Sequence, residues 1–314
     1  MIPLAGKHAV VVGATGTIGA HIAQAFAAQG AVVSLLGRTA LQARAKLEPQ
    51  LTPYTASHGQ NSPSDTPTSH RFIRLDVADR ASIKHVFGSR ASQVSVVVVA
   101  RFRHGRGVKA YQKAKQHAEA VGPLDVLVNC AGISQTTLLK RTPDEELASI
   151  LDTNLLSTML VCKHASVRPN GEDANPPRVQ RSSSTRVVRV LMKKAGCIIN
   201  VSSLMATKSG LGVTAYSASK AGVVAFTRAL CREMAARSIR VNALLPGWVQ
   251  SSMWDLNDAS LLDLKPELQQ AYLKDTPLNR VAHPAEVADA AVFLASNGFA
   301  NNCVLNLDGG LSAA

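Results

Sequence analysis

The chain has 314 residues, 46% of them hydrophobic and 18% charged, an ordinary globular balance with enough apolar residues for a sizeable core. No apolar run approaches the about 18 residues needed to cross a membrane; the densest stretch, residues 96–100, is far too short. The net charge of +13 would ordinarily raise nucleic acid, membrane or acidic partners, but two segments hold nearly all of it. Residues 89–115 carry seven cations and no acid, residues 165–194 carry seven cations and two acids, and the remainder is close to neutral. The basicity therefore belongs to those segments and not to the fold.

Met1–His8 runs directly into a strand-like segment, which leaves no room for a signal peptide or transit helix. His8–Gly13 (HAVVVG) is an apolar run ending in glycine, as expected of a buried parallel strand. A helical pattern follows through Ile18, Ile22, Ala23, Phe26 and Ala27 and stops at Gly30. Ala31–Leu36 reads as a second strand, Ala40–Leu47 as a helix and Phe72–Asp76 as a third strand. Leu124–Cys130, Gly196–Val201, Ile239–Leu245 and Val304–Leu307 continue the series, with helical patterns in most intervals. Alternating strands and helices predict an α/β fold with a parallel sheet covered on both faces. Pro49–His70, residues 89–113 and residues 166–186 interrupt the rhythm, the last inside what should be a continuous helix. The five cysteines are scattered, none at metal-ligand spacing, and read as buried thiols in a reducing compartment.

Gly13-Ala-Thr15-Gly16-Thr17-Ile18-Gly19 lies between the first strand and the first helix. Glycines there let the backbone turn sharply and approach a pyrophosphate, which the helix N-terminus attracts. A tight turn that binds nothing would look the same in isolation. The second strand ends in Gly37-Arg38, where an enzyme selecting the 2′-hydroxyl of NAD usually carries an acid; a guanidinium suits a 2′-phosphate, so the expected cofactor is NADP(H). Asp76 and Val77, at the end of the third strand, are placed to meet the adenine ring.

Tyr216-Ser-Ala-Ser-Lys220 puts a phenol and an ammonium at i, i+4, on one face of a helix. Free tyrosine titrates near about 10, and a neighbouring ammonium favours the phenolate. Alone, that spacing is most often a solvated helix face. Its context resembles the short-chain dehydrogenase/reductase family over nearly the whole chain outside the three interruptions. Asn129-Cys-Ala131-Gly132 is similar to the family's NNAG segment, Asn154 in ILDTNLLSTM to the helix asparagine, and Ser203 in IINVSS to the family serine. Pro246-Gly247-Trp-Val249-Gln-Ser251 matches the PG loop, and residues 285–296 and Asp308-Gly-Gly310 the C-terminal helix and strand end.

The resemblance implies a Rossmann-like, doubly wound, seven-stranded sheet in a single domain over residues 1–314. It implies that Tyr216 donates a proton to a carbonyl oxygen, that Ser203 polarises that carbonyl, and that Lys220 holds the nicotinamide ribose and lowers the tyrosine pKa. Asn154 would hold a water linking Lys220 to solvent, and the carboxamide would meet Val249 and Ser251. No metal is implied. LVNCAGIS, TNLLSTMLVCK, RVNALLPGWV and TPLNRVAHPAEVA read most like bacterial and mitochondrial 3-oxoacyl-[acyl-carrier-protein] reductases. That reading implies an acyl substrate on carrier protein or coenzyme A, a role in fatty acid synthesis, a cytoplasmic or mitochondrial setting, and a dimer or tetramer. Lys194 and Arg237 fall where such reductases carry basic docking residues for an acidic carrier. Other carbonyls (quinone, steroid, polyketide) remain open, as does a non-catalytic subunit using its basic segments. Nucleic acid is disfavoured, because those segments lack interleaved aromatics.

The sequence departs from the family pattern at Thr17, which stands for a glycine, at Cys130, which stands for a second asparagine, and at residues 298–303, which are short. Residues 89–113 and 166–186 have abrupt edges and no amphipathic pattern, as unspliced or mispredicted sequence would; surface excursions that modulate partners are the alternative. The loop near residues 248–275, with Met253, Trp254 and Leu256, is apolar and names no ligand.

Overall fold

The apolar runs of the sequence become buried parallel strands in the computed structural model, which describes residues 2–54, 66–88, 120–135, 137–166, 191–208, 210–251 and 266–313. The strands are β1 (His8–Val12), β2 (Val32–Gly37), β3 (Arg71–Arg74), β4 (Leu124–Asn129), β5 (Met192–Val201), β6 (Arg240–Pro246) and β7 (Val304–Leu307). The helices are α1 (Thr17–Ala28), α2 (Ala40–Leu47), α3 (Arg80–Gly88), α4 (Asp144–Leu151), α5 (Ser157–Ser166), α6 (Thr214–Met234), α7 (Pro266–Asp275) and α8 (Pro284–Ser296). All seven strands form one sheet in the order β3-β2-β1-β4-β5-β6-β7, every pairing parallel. The seven-stranded, doubly wound sheet expected from the sequence is thus observed.

Period-two alternation along each strand builds two cores. Ala9, Val11, Val33, Leu35, Val126, Val128 and Ile199 face one side, where Ile22 and Phe26 of α1 and Val287, Ala291 and Leu294 of α8 cover them. Val10, Val12, Leu36, Leu127, Ile198 and Val241 face the other, under Ile83 and Phe87 of α3, Val161 and Cys162 of α5, and Leu230 of α6. Each large side chain so buried contributes about 1.5–3 kcal/mol, and burial on both faces explains why β1, β2 and β4 are predominantly apolar, interrupted by Ser34 in β2 and Asp125 in β4.

Strand order reverses between β1 and β4, so the connections leaving their C-terminal ends run to opposite faces and open a crevice there. The turn after β1 holds Gly13–Gly19; the segment after β4 holds Cys130-Ala131-Gly132.

Three boundaries differ from the sequence expectation. β3 stops at Arg74, leaving Asp76 beyond its end. β5 starts at Met192, four residues before Gly196, with a register irregularity opposite Leu124/Val126 and Ala195 at φ 57°. Lys193 and Lys194 hide that early start in the sequence. The helix expected through Asn154 is divided: Asp152–Leu156 forms a π-turn between α4 and α5. Residues 89–113 and 167–186, and residues 55–65 of the Pro/Ser/Thr-rich stretch, lie outside the described residues.

Candidate active site

The glycine turn is built for close approach. Gly13 has φ +82°, and a Cβ there would lie 2.6 Å from Ala131 N; a Cβ on Gly19 would collide with the Gly13 carbonyl. Only glycine therefore lets β1, the segment after β4 and α1 converge. Gly16, at the α1 N-cap, offers no side chain to the first N–H groups of the helix, leaving them for a ligand. Thr17 occupies the first helical position, so the Gly13/Gly16/Gly19 spacing tolerates its side chain. These features fit a dinucleotide pyrophosphate: a cradle that a methyl would fill, at a helix N-terminus of uncapped donors.

Asn154 sits in the π-turn, buried, with Oδ1 accepting the Ile133 N–H (2.8 Å) and Nδ2 donating to the Ile133 carbonyl (2.9 Å) and to Ser219 Oγ (3.0 Å). This fixes the segment after β4 against α6. A Cβ on Gly132 would lie 3.1 Å from Asn154 Oδ1 and 3.2 Å from Lys220 Nζ, so the glycine lets both groups crowd its backbone. Asn129 turns inward: its amide donates to Asn200 Oδ1 (2.9 Å), whose own amide reaches Thr227 Oγ1 (3.0 Å). That sheet-centre chain persists although Cys130 replaces an asparagine beside it.

Tyr216 and Lys220 lie on α6, and Ser203 follows the end of β5. Ser202 Oγ, donating to the Lys220 carbonyl (2.7 Å), ties the two elements together. The Lys220 ammonium donates to the Val201 carbonyl (3.1 Å) and lies 5.8 Å from the Tyr216 ring centroid. Burial holds it well below the usual lysine range, at about 8. Burial also raises the Tyr216 phenol above its ordinary value, against the Ser203 hydroxyl, whose hydrogen bond lowers it. The net direction is therefore upward, where the spacing of Tyr216 and Lys220 led to the expectation of a lowered value. The ring packs against the cluster of Leu204 and Met205, and that loss of water sets the direction. The phenol stays protonated at neutral pH, the state a proton donor needs.

A cleft of about 600 Å³ joins these parts. Gly13, Thr15, Gly16, Thr17, Ile18 and Gly19 line it at one end, with Arg38, Asp76 and Val77; Ser203, Tyr216 and Lys220 line the other. Ala131, Gly132, Pro246, Gly247, Val249 and Ser251 complete the wall. Asn129 and Asn154 stand behind it. Gly247 packs a bare Cα against Asp308, and Val249 forms an isolated bridge with Ala282, holding the PG loop open beside the cleft. Met253, Trp254 and Leu256 lie outside the described residues.

Three features were not anticipated from sequence. Cys130 lines the cleft, its thiol pushed up to about 11 by burial. Gln135, fully buried, accepts hydrogen bonds from the first turn of α6; no sequence signal marks it. Arg237, read as a docking cation, instead donates to the carbonyls of Ser166 and Met192, because α5 and β5 present unfilled acceptors to it. Lys194 is exposed, as a docking cation requires. Among the described residues no group of three His, Cys, Asp or Glu side chains could hold a metal, and no helix is long and apolar enough to cross a membrane.

A doubly wound parallel sheet with a glycine cradle at its switch point is dinucleotide-binding architecture, and known proteins narrow the class. The family described as "short chain dehydrogenase" matches residues 106–169, and that described as "Enoyl-(Acyl carrier protein) reductase" matches residues 182–312. The chain is 30% identical over 311 residues (98% of both chains) to the 3-oxoacyl-[acyl-carrier-protein] reductase FabG of Chlamydia muridarum. It is 36% identical over 201 residues to the 3-oxoacyl-[acyl-carrier-protein] reductase of Mus musculus (64% of this chain, 70% of the mouse protein). A short-chain dehydrogenase/reductase structure from Serratia marcescens superposes with a TM-score of 0.69 at 24% identity over 99% of both chains. The chain belongs to the short-chain dehydrogenase/reductase family. It is an oxidoreductase, and membership implies a nicotinamide cofactor.

Proposed function

We propose that this protein uses NADPH to reduce a 3-oxoacyl thioester, carried on acyl carrier protein or coenzyme A, to the 3-hydroxyacyl form in fatty acid synthesis. The observation that carries this reading is the single cleft shared by the Gly13–Gly19 cradle and the Ser203, Tyr216 and Lys220 side chains. The 3-oxoacyl reductases similar over nearly the full chain supply the substrate class.

NADPH held by the Gly13–Gly19 cradle and Lys220 would supply the hydride for the carbonyl carbon. The Tyr216 hydroxyl donates its proton to the carbonyl oxygen as that oxygen gains negative charge, and the Ser203 hydroxyl donates a hydrogen bond to the same atom. Lys220, charged at neutral pH, stabilises the tyrosinate left behind. Both hydrogens of the Asn154 amide are committed, so a water bridging Lys220 to solvent would rest on the second lone pair of Oδ1 or on the main-chain carbonyl. Arg38 would face the 2′-phosphate. Supporting NADPH over NADH, a Cβ on Gly37 would lie 2.9 Å from Thr15 Oγ1, which crowds a side chain where a ribose-binding acid would sit.

The test is a panel: NADPH and NADH oxidation by the full chain with acetoacetyl and longer 3-oxoacyl thioesters, a quinone and a steroid ketone. Preferential turnover of thioester with NADPH supports the reading. Turnover of quinone or steroid alone overturns the substrate assignment, and equal use of NADH overturns the cofactor assignment.

A further inference from the structure

We propose that Gln135 is a positioning residue for the chemistry, a remote cap that sets where α6 begins and so where the Tyr216 phenol stands. The inference rests on the reading of Tyr216 as proton donor.

The first N–H groups of a helix have no partner within it. In α6 the N-cap is Val213, whose side chain can accept nothing, and no side-chain cap bond forms there. Gln135, 80 residues earlier, fills the gap: its Oε1 accepts from the N–H groups of Ala215 (2.8 Å) and Tyr216 (3.3 Å). Its Nε2 donates to the Thr137 carbonyl (2.9 Å) and reaches Thr142 Oγ1 (3.2 Å) and Thr214 Oγ1 (3.3 Å). The side chain is fully buried and both ends are engaged, so it has one available pose.

Tyr216 is held at both ends of its own residue. Gln135 takes its N–H, and Ser219 Oγ donates to its carbonyl (2.6 Å). Ser219 Oγ in turn accepts from Asn154 Nδ2, which also holds Ile133. Ile133 lies on the cleft wall, two residues before Gln135. The backbone of Tyr216 is thus clamped to the strand end that forms the other side of the cleft. Loss of one clamp frees the first helical turn and lets the phenol leave its alignment with Ser203, a misplacement of the kind that lowers turnover without touching remote binding contacts.

The experiment compares wild type with Gln135→Met, which keeps the volume and removes both acceptor and donor, and Gln135→Glu, which keeps the acceptor and removes the donors. Amide hydrogen exchange of the peptide spanning residues 214–217 is read in the intact protein. kcat, the KM for NADPH and the pH profile are read on whichever carbonyl the wild type reduces. Gln135→Met is expected to raise exchange about tenfold and lower kcat about tenfold, with an unchanged KM for NADPH; Gln135→Glu should keep most of both. Unchanged exchange in Gln135→Met would overturn the cap. Raised exchange with wild-type kcat would overturn the positioning role. Equal damage in Gln135→Glu would assign the effect to the lost amide donors and overturn the cap as its cause. A Tyr216→Phe control separates the underlying reading: full activity there removes Tyr216 as proton donor, while the exchange result still decides the cap.

Discussion

Asn154 holds Ile133 by both sides of one residue, Oδ1 accepting its N–H at 2.8 Å and Nδ2 donating to its carbonyl at 2.9 Å. The π-turn over Asp152–Leu156 carries this amide, so a local irregularity of the helix is coupled to the wall of the cleft. Removing the side chain leaves two main-chain groups without partners, at about 1–3 kcal/mol each. Asn154→Ala is therefore expected to lower stability by roughly 2–6 kcal/mol in urea unfolding and to abolish most activity. Asn154→Asp keeps the acceptor for the Ile133 N–H and loses the two donors, so it too should be less stable than wild type. An Asn154→Asp variant as stable as wild type in urea would contradict this arrangement.

Lys220 carries a cost that the fold does not need. Its folded pKa is about 8, against 10.5 for a free lysine. Below pH 8 folded and unfolded chains both bind the proton and the burial penalty stands in full, roughly 3 kcal/mol. Between pH 8 and 10.5 the unfolded chain binds more protons than the folded one, so stability recovers as pH rises. Lys220→Met should thus melt above wild type at pH 7, by roughly 5 °C, with the gap closing by pH 10.5, while losing activity. A wild type more stable than Lys220→Met at pH 7 would show that the ammonium is better solvated than its burial indicates. The same titration predicts that kcat/KM for reduction falls above about pH 8.

Arg38 is exposed at the cofactor end of the cleft, beside Gly37. A hydrogen-bonded guanidinium–phosphate contact is worth about 1.5–3 kcal/mol, so Arg38→Ala should weaken NADPH binding about ten- to a hundredfold and leave NADH binding unchanged. Fluorescence titration with both nucleotides reads this directly; equal weakening of both would assign Arg38 to the shared part of the cofactor.

Much of the fold was legible because it rests on one-dimensional patterns. The buried runs of β1, β4 and β6 and the glycines around Gly13 declare themselves by residue type alone. The four candidate catalytic residues were recognisable from their surrounding motifs, yet their electrostatics were not: the spacing of Tyr216 and Lys220 suggested a depressed phenol pKa, while the packing of Leu204 and Met205 around the ring decides the sign. The π-turn at Asn154 is hard to see in periodicity, since it spans five residues between helices of eight and ten, too short for a shift of phase to stand out. Arg237 and Gln135 depend on which carbonyls and N–H groups the fold leaves unfilled nearby, and that is a property of packed elements, not of the segment that contains the residue.

The most direct measurement is the rate of NADPH oxidation with a 3-oxoacyl thioester by wild type and by Tyr216→Phe, alongside NADPH affinity for each. A proton-donating Tyr216 predicts a fall in kcat of at least about a hundredfold with unchanged NADPH affinity and an unchanged melting profile. Turnover by Tyr216→Phe within tenfold of wild type would contradict it and move the search for the proton donor elsewhere in the cleft.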